Sequence, residues 1–338
     1  MSDRPSCLIT GITGMVGSHL ADYLLANTDW ELFGFLRWAD DLTNLDHLLP
    51  RIDAGDRVTL LYGDLNDYPS VERAVAQARP DYVFHLAAQS YPKTSFDAPL
   101  ETLQTNVLGT AALLEAIRRS GLRPVVHVCA SSEVFGRVPR DRLPIAEDAP
   151  FHPASPYAIS KVGTDLLGRF YAEAYGMCAM TTRMFTHTGP RRGDVFAESS
   201  FAKQIALIEA GRIPPVLKAG NLDSLRTWAD VRDAVRAYHL LVTRDPVPGA
   251  SYNIGGTHTC TIGEMLRHLL SLSTVEGIEV VVEQDRLRPI DADLQVPDTS
   301  KFRAHTGWEP RIPFAQTMAD LLDWWRQRVR TGRNFLTR

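Results

Sequence analysis

Gly11-Ile-Thr-Gly14-Met-Val-Gly17 lies between an apolar run, Ser6–Thr10, and an amphipathic run over residues 17–27. Glycines at this spacing let a chain leave a buried strand, turn tightly and enter a helix with its backbone exposed to a ligand. The positive end of that helix favours a phosphate. Gly11, Thr13, Gly14, Met15, Val16 and Gly17 are therefore the expected pyrophosphate cradle of a dinucleotide. A strand, a glycine loop and a helix in this order commit the chain to a crossover unit and hence to a parallel sheet.

The following stretches keep that rhythm. Apolar runs at Glu31–Leu36, Val58–Tyr62, 82–86, Val125–Cys129 and 181–185 read as strands, and residues 68–77, 103–120 and 157–175 read as amphipathic helices. Alternation of this kind predicts an α/β doubly wound parallel sheet of Rossmann type, covered on both faces. Beyond residue 186 the alternation breaks at Gly189-Pro-Arg-Arg-Gly193. A helix over 231–242 and a strand at Ser251–Ile254 read as a return to the first unit. The expected division is a dinucleotide-binding domain over 1–186 with 230–256 returning to it. The remainder, 187–229 and 257–338 with helices near 200–210, 262–272 and Phe314–Arg330, forms a smaller mixed α/β substrate lobe. A chain of 338 residues is long enough for two such lobes around one site.

Further contacts to the dinucleotide follow from the strand ends. Arg37, after the second strand, favours a ribose 2′-phosphate and therefore NADP over NAD, although Asp40 and Asp41 stand close by. Asp64 and Leu65, after the third, are placed to meet the adenine. Leu86-Ala87-Ala88-Gln89-Ser90, after the fourth, supplies small residues where the cofactor's backbone passes closely.

Ser131 follows the fifth strand, with Glu133 two residues on, and Tyr157 and Lys161 lie four apart on one helical face. A phenol beside an ammonium and a serine hydroxyl can take the proton of an alcohol as its hydride leaves, the ammonium lowering the phenol's pKa. Lysine is informative here because the chain carries 31 Arg and only 5 Lys. Pro153 and Pro156 frame the helix start and put Tyr157 in its first turn. Glu133 is a second acid/base that a plain alcohol dehydrogenase does not need, and it points to elimination of water.

These stretches together resemble the extended short-chain dehydrogenase/reductase superfamily, and within it the GDP-mannose 4,6-dehydratase family. The resemblance runs from Leu8-Ile-Thr-Gly-Ile-Thr-Gly14 to Thr306-Gly-Trp-Glu-Pro310 and includes Ala87-Ala-Gln-Ser-Tyr91, Ser131-Ser-Glu133, Ser155-Pro-Tyr-Ala158, Gly189-Pro-Arg-Arg-Gly193, Gly220-Asn-Leu-Asp223 and Leu287-Arg-Pro289. It implies that Tyr157 and Glu133 share a 4,6-dehydration with NADP recycled in each turnover. It also implies that His187 and Arg192 touch NADP, and that Arg226 and Arg288 hold the nucleotide diphosphate. Ser90, Ser131, Glu133 and Thr186 would line the sugar, with Asp291 near the ribose. The family's arginine-pair loop reaches a neighbouring subunit's cofactor, which implies a homodimer or homotetramer. Four positions depart from the pattern: Ser131 stands for a threonine, Thr186 for an asparagine, Glu101 for a tyrosine and Trp38 for a basic residue. Such changes leave room for a heptose or for another nucleotide base. The scaffold is also similar to GDP-6-deoxy-4-keto-mannose reductases, especially at Phe201-Ala-Lys-Gln-Ile205 and from Arg226 through Asp233. A non-catalytic NADP-binding sensor is the alternative of another class.

Composition sets limits on partners. A net charge of -4 supplies no attraction to nucleic acid or to an anionic membrane. No apolar stretch approaches the length of a membrane span, and no secretory leader is expected. Cys7, Cys129, Cys178 and Cys260 lack metal-ligand spacing, so no metal site is expected and a reducing cytoplasm fits.

Overall fold

The structure is a computed structural model and describes residues 4–287 and 292–332. Thirteen strands occur among the described residues: β1 (Ser6–Thr10), β2 (Glu31–Leu36), β3 (Val58–Tyr62), β4 (Tyr82–His85), β5 (Val125–Cys129), β6 (Ala179–Met184), β7 (His187–Thr188), β8 (Val216–Ala219), β9 (Leu225–Asp230), β10 (Ser251–Ile254), β11 (His258–Thr261), β12 (Glu279–Val282) and β13 (Leu294–Gln295). Seven of them form one sheet in the order β10-β6-β5-β4-β1-β2-β3, and every pairing in it is parallel. The order reverses between β1 and β4, the crevice where such sheets bind ligands beyond their strand ends.

Both faces of this sheet are buried. On one, Leu20 and Leu24 of helix Met15–Asn27 join Val235, Tyr238 and Leu241 of helix Val231–Thr243. On the other, Val71, Val75, Leu113, Ile117 and Tyr171 cover the strands from three helices. Strands covered this way read as near-continuous apolar runs rather than as alternating ones. A second set of elements packs separately. β11, β9 and β13 form a small sheet with β7 on β9, β8 pairs β12, and Phe201, Met265, Leu321 and Trp325 fill the core beneath. No described helix is long and apolar enough to cross a membrane.

The main-sheet strands expected from the sequence are present, with β4 and β6 shifted by a residue or two at their ends. The helix expected over 103–120 is not continuous. Helix Pro99–Leu103 passes through a wide turn at Gln104–Leu108 before helix Gly109–Ser120 begins. Asn106 explains the break. Its side chain bonds Gln89 N and O and the Ser160 hydroxyl, while its carbonyl accepts from Thr110 and Thr164. Widened turns of this sort occur where side chains insert into the helix ladder, often beside functional sites.

The glycine loop is as tight as its composition requires. A Cβ on Gly17 would lie 2.3 Å from the Gly11 carbonyl oxygen and 2.7 Å from Ile12 Cα, both backbone atoms that cannot turn aside. Gly17→Ala is therefore expected to lower stability by about 1–3 kcal/mol, the usual cost of overpacking. Denaturant unfolding beside the unaltered protein checks this; an unchanged midpoint would mean the loop is looser than described.

Candidate active site

A cleft of about 980 Å³ opens beyond the carboxyl ends of β1, β4, β5 and β6 and extends to the second set of elements. Gly11, Gly14, Met15, Val16 and Gly17 form one end of it. The middle is lined by Leu86, Ala88, Ser90, Ser131, Glu133, Tyr157, Lys161, Thr186, His187 and Arg192, and the far wall carries Arg226.

Each of the four reactive side chains arrives by a short local device. Ser131 caps a tight turn over Ser132–Phe135, its hydroxyl accepting from Glu133 N at 3.2 Å. The same turn carries Glu133 into the cleft. Ser155 caps helix Pro156–Tyr175 by accepting from Ala158 N at 3.0 Å, with Pro156 at the first helical position. Tyr157 is then in the first turn, and Lys161 lies one turn further on the same face. The turn packs against this helix, which brings the Ser131 hydroxyl close enough to the Tyr157 phenol to lower its pKa.

The electrostatics correct one expectation. Burial holds the Tyr157 phenol well above its ordinary value, more strongly than the nearby Ser131 hydroxyl and the Arg192 charge pull it down. Lys161 is not the group that lowers it. The Lys161 ammonium donates to the Cys129 carbonyl at 2.7 Å, and burial depresses its own pKa. A buried cation satisfied by one carbonyl keeps further donors for a ligand. His187 is lowered to about 4, by burial first and then by Arg192.

Arg191 and Arg192 fold onto their own chain. Arg192 pairs with Glu198 at 3.1 Å and stacks on the Phe196 ring at 3.4 Å, beside Tyr157. Arg191 reaches Asp22 of the first helix at 2.7 Å. Both guanidiniums thus have carboxylate partners within the chain.

Other expected cofactor residues lie off the cleft wall. Arg37 follows β2 and makes an ion pair with Asp40 at 2.9 Å, and Trp38 beside it is 84% exposed. Asp64 turns back to accept from Asn66 N, and the Leu65 side chain is core. Ala87 backs the glycine loop, its Cα 2.9 Å from where a Cβ on Gly11 would be. Thr13 accepts from Asn44 through its carbonyl at 2.9 Å. Arg288 and Asp291 lie outside the described residues. Asn44, Phe196, Glu198 and Lys203 line the cleft without having been expected. Lys203 carried a usable signal, being one of only 5 lysines; the others belong to no local pattern.

A sheet carrying a dinucleotide loop, with a serine, a tyrosine and a lysine at its carboxyl edge and a smaller set of elements closing the cleft, is the architecture of the extended short-chain dehydrogenases/reductases. The sequence model for GDP-mannose 4,6 dehydratase matches residues 8–321, and the chain belongs to that family. It is 32% identical over 337 residues to the GDP-mannose 4,6 dehydratase of Drosophila melanogaster, covering 93% of this chain and 84% of that one. It is 33% identical over 323 residues to the GDP-6-deoxy-D-mannose reductase of Pseudomonas aeruginosa, covering 95% and 97%. Among solved structures, RMD from Pseudomonas aeruginosa complexed with NADPH superposes with a TM-score of 0.80 at 30% identity, over 96% of this chain and all of that one.

Behind Lys161 the sheet buries two imidazoles. Thr10 Oγ1 accepts from Leu86 N and Ala87 N, each at 3.1 Å, so its own proton goes to His85 Nδ1 at 2.9 Å. His85 is thus neutral with its proton on Nε2, donated to Thr110 at 2.9 Å. Burial lowers both His85 and His127 to about 3. The unfolded chain binds these protons near its ordinary pKa of about 6.5 and the folded chain does not, so stability is full above that pH and falls as pH drops toward 3. The expected slope is about 1.4 kcal/mol per pH unit for each histidine. Urea midpoints between about pH 7 and 5 test this, and His127→Gln should flatten the slope by one proton's worth.

Proposed function

We propose that the chain is a nucleotide-sugar 4,6-dehydratase acting on GDP-mannose or a closely related GDP-sugar, with NADP retained and reused in every turnover. The observation that carries this reading is a shared cleft: the Tyr157 phenol and the Glu133 carboxylate line the same cavity from two different elements. Redox chemistry at one carbon needs the first; removal of water from the two adjacent carbons needs the second as well.

The residues present suit a dinucleotide. Gly14 caps the first helix with no side chain in the way, and the small residues Gly11 and Ala87 let the two loops meet. Arg37 suits a 2′-phosphate, and the RMD relative holds NADPH. Held there, NADP would supply the hydride acceptor for C4 of the sugar and the hydride donor for C6. Tyr157 takes the C4 hydroxyl proton, with the Ser131 hydroxyl fixing its direction. Lys161 orients the nicotinamide ribose. Once C4 is a ketone, the proton on C5 is acidic; Glu133 removes it and protonates the departing C6 oxygen, which leaves as water, and a proton from solvent then adds at C5 as hydride returns to C6. His187 and Arg192 border the nicotinamide end. Arg226, with Arg288, neutralises the diphosphate, Ser90 and Thr186 contact the sugar, and Asp291 contacts the ribose. The second set of elements acts as the substrate-binding lobe.

A 4-reductase is the second reading. The Pseudomonas reductase favours it, as does a phenol that burial keeps protonated and ready to donate. We also read the chain as a cytoplasmic homo-oligomer. Ile159, Leu166 and Phe170 form an exposed apolar stripe at helical spacing, continued by Leu100 and Leu108. A second copy of that face would cover it.

Two measurements decide between the readings. The purified protein should carry NADP and convert GDP-mannose with loss of one water and no added reductant, whereas stoichiometric consumption of NADPH on a 4-keto sugar would establish the reductase. Glu133→Gln should lower dehydration by about 10²–10⁴-fold while reduced cofactor accumulates on the protein. Normal dehydration by that variant removes Glu133 from its role.

A further inference from the structure

Arg183 is 2% exposed and Asp165 is wholly buried. The guanidinium grips the carboxylate with two hydrogen bonds, Nε to Oδ2 at 2.8 Å and Nη2 to Oδ1 at 3.1 Å. An ion pair taken out of water recovers little net stability, and apolar residues of similar volume often serve as well. Its geometry shows what else it does here.

Asp165 is one turn beyond Lys161, so 157, 161 and 165 follow each other along one face of helix Pro156–Tyr175. Arg183 comes from β6, which flanks β5. The Arg183 Nη1 donates to the Glu147 carbonyl at 2.6 Å. Its plane lies over the rings of Phe151 at 4.8 Å and Phe135 at 5.4 Å. Phe135 closes the turn that Ser131 caps and that carries Glu133. The same turn is tied from the other side, His152 N donating to the Val134 carbonyl at 3.0 Å. A Cβ on Gly136 would fall 1.6 Å from the His152 oxygen. Glu147 in turn accepts from Asn253 N at 2.9 Å, on β10. One buried guanidinium therefore touches the helix bearing Tyr157 and Lys161, the turn bearing Glu133, and the segment that brackets that turn.

We infer that Arg183 and Asp165 are positioning residues: their buried ion pair is the strut that sets the Glu133 turn at a fixed distance from the Tyr157 helix. This rests on the dehydratase reading. Tyr157 and Lys161 share one helix, so hydride removal needs the strut little. Removal of the C5 proton needs Glu133 registered against a sugar held from the other element, so that step depends on it.

The test is the paired variant Arg183→Met with Asp165→Leu, which removes both charges together and leaves neither buried alone. It should fold, with a melting transition near that of the unaltered protein. Its kcat on GDP-mannose should fall about 100-fold, as misplacement by about 1 Å produces. KM should stay put, and bound reduced cofactor should accumulate as near-ultraviolet absorbance. A folded pair variant with unaltered kcat overturns the strut. If the pair variant does not fold, Asp165→Glu keeps both charges and moves the helix side by one methylene. It should fold and show the same split between kcat and KM, and unaltered turnover there overturns the inference equally. Absence of dehydration by the unaltered protein instead rejects the dehydratase reading.

Discussion

The packing of the Ser131 turn against the helix that carries Tyr157 is the constraint on which the rest of the site depends. It joins a turn at the end of β5 to the first turn of a helix that begins much later in the chain. Each of the two elements is fixed by its own cap, Ser131 for the turn and Ser155 for the helix. Glu133 is carried on the Ser131 side and Lys161 on the Tyr157 side, so the seating of that turn on the helix, braced by Arg183 and Asp165, sets the relative placement of a phenol, a carboxylate and an ammonium. Preorganisation of this kind lets several groups act on neighbouring atoms of one substrate without reorganising at the moment of reaction.

The site is built from buried charge. Lys161, Arg192 and Arg226 all lose water, and burial depresses the first two. The fold compensates with specific acceptors: the Cys129 carbonyl for Lys161, Glu198 and the Phe196 ring for Arg192, the Ala292 carbonyl for Arg226. A buried cation with such a partner is costly to leave alone and favours the arrival of an anion. That fits a cleft meant for pyrophosphate groups at both ends. The Tyr157 phenol is raised by its own burial, which outweighs the pull of the neighbouring Arg192 charge.

Much of this was legible in the sequence where the signal is local. The glycine loop, the strand-end small residues and the Tyr157–Lys161 spacing depend on periods of two to four residues, and those periods survive folding. Ser131 and Glu133 were legible because they follow an apolar run. What was not legible joins distant segments. The pairing of Arg183 with Asp165, the stack of Arg192 on Phe196 and the bond from Asn44 to Thr13 leave no periodic trace. The wide turn at Gln104–Leu108 was hidden because its residues have ordinary helical character and Asn106 imposes the break through partners on other elements. The tyrosine's raised pKa leaves no local trace for a related reason: spacing places an ammonium on the same face, but only the fold shows that it is aimed at a carbonyl.

The central claim is that electrons leave one carbon of a sugar and return to another carbon of the same molecule. GDP-mannose bearing deuterium at C4, incubated with the protein in ordinary water and without added cofactor, tests it most directly. The account predicts a product lighter by one water, with the deuterium now at C6 and a solvent proton at C5. A product that has lost its deuterium to solvent, or one oxidised at C4 with its water retained, would contradict it.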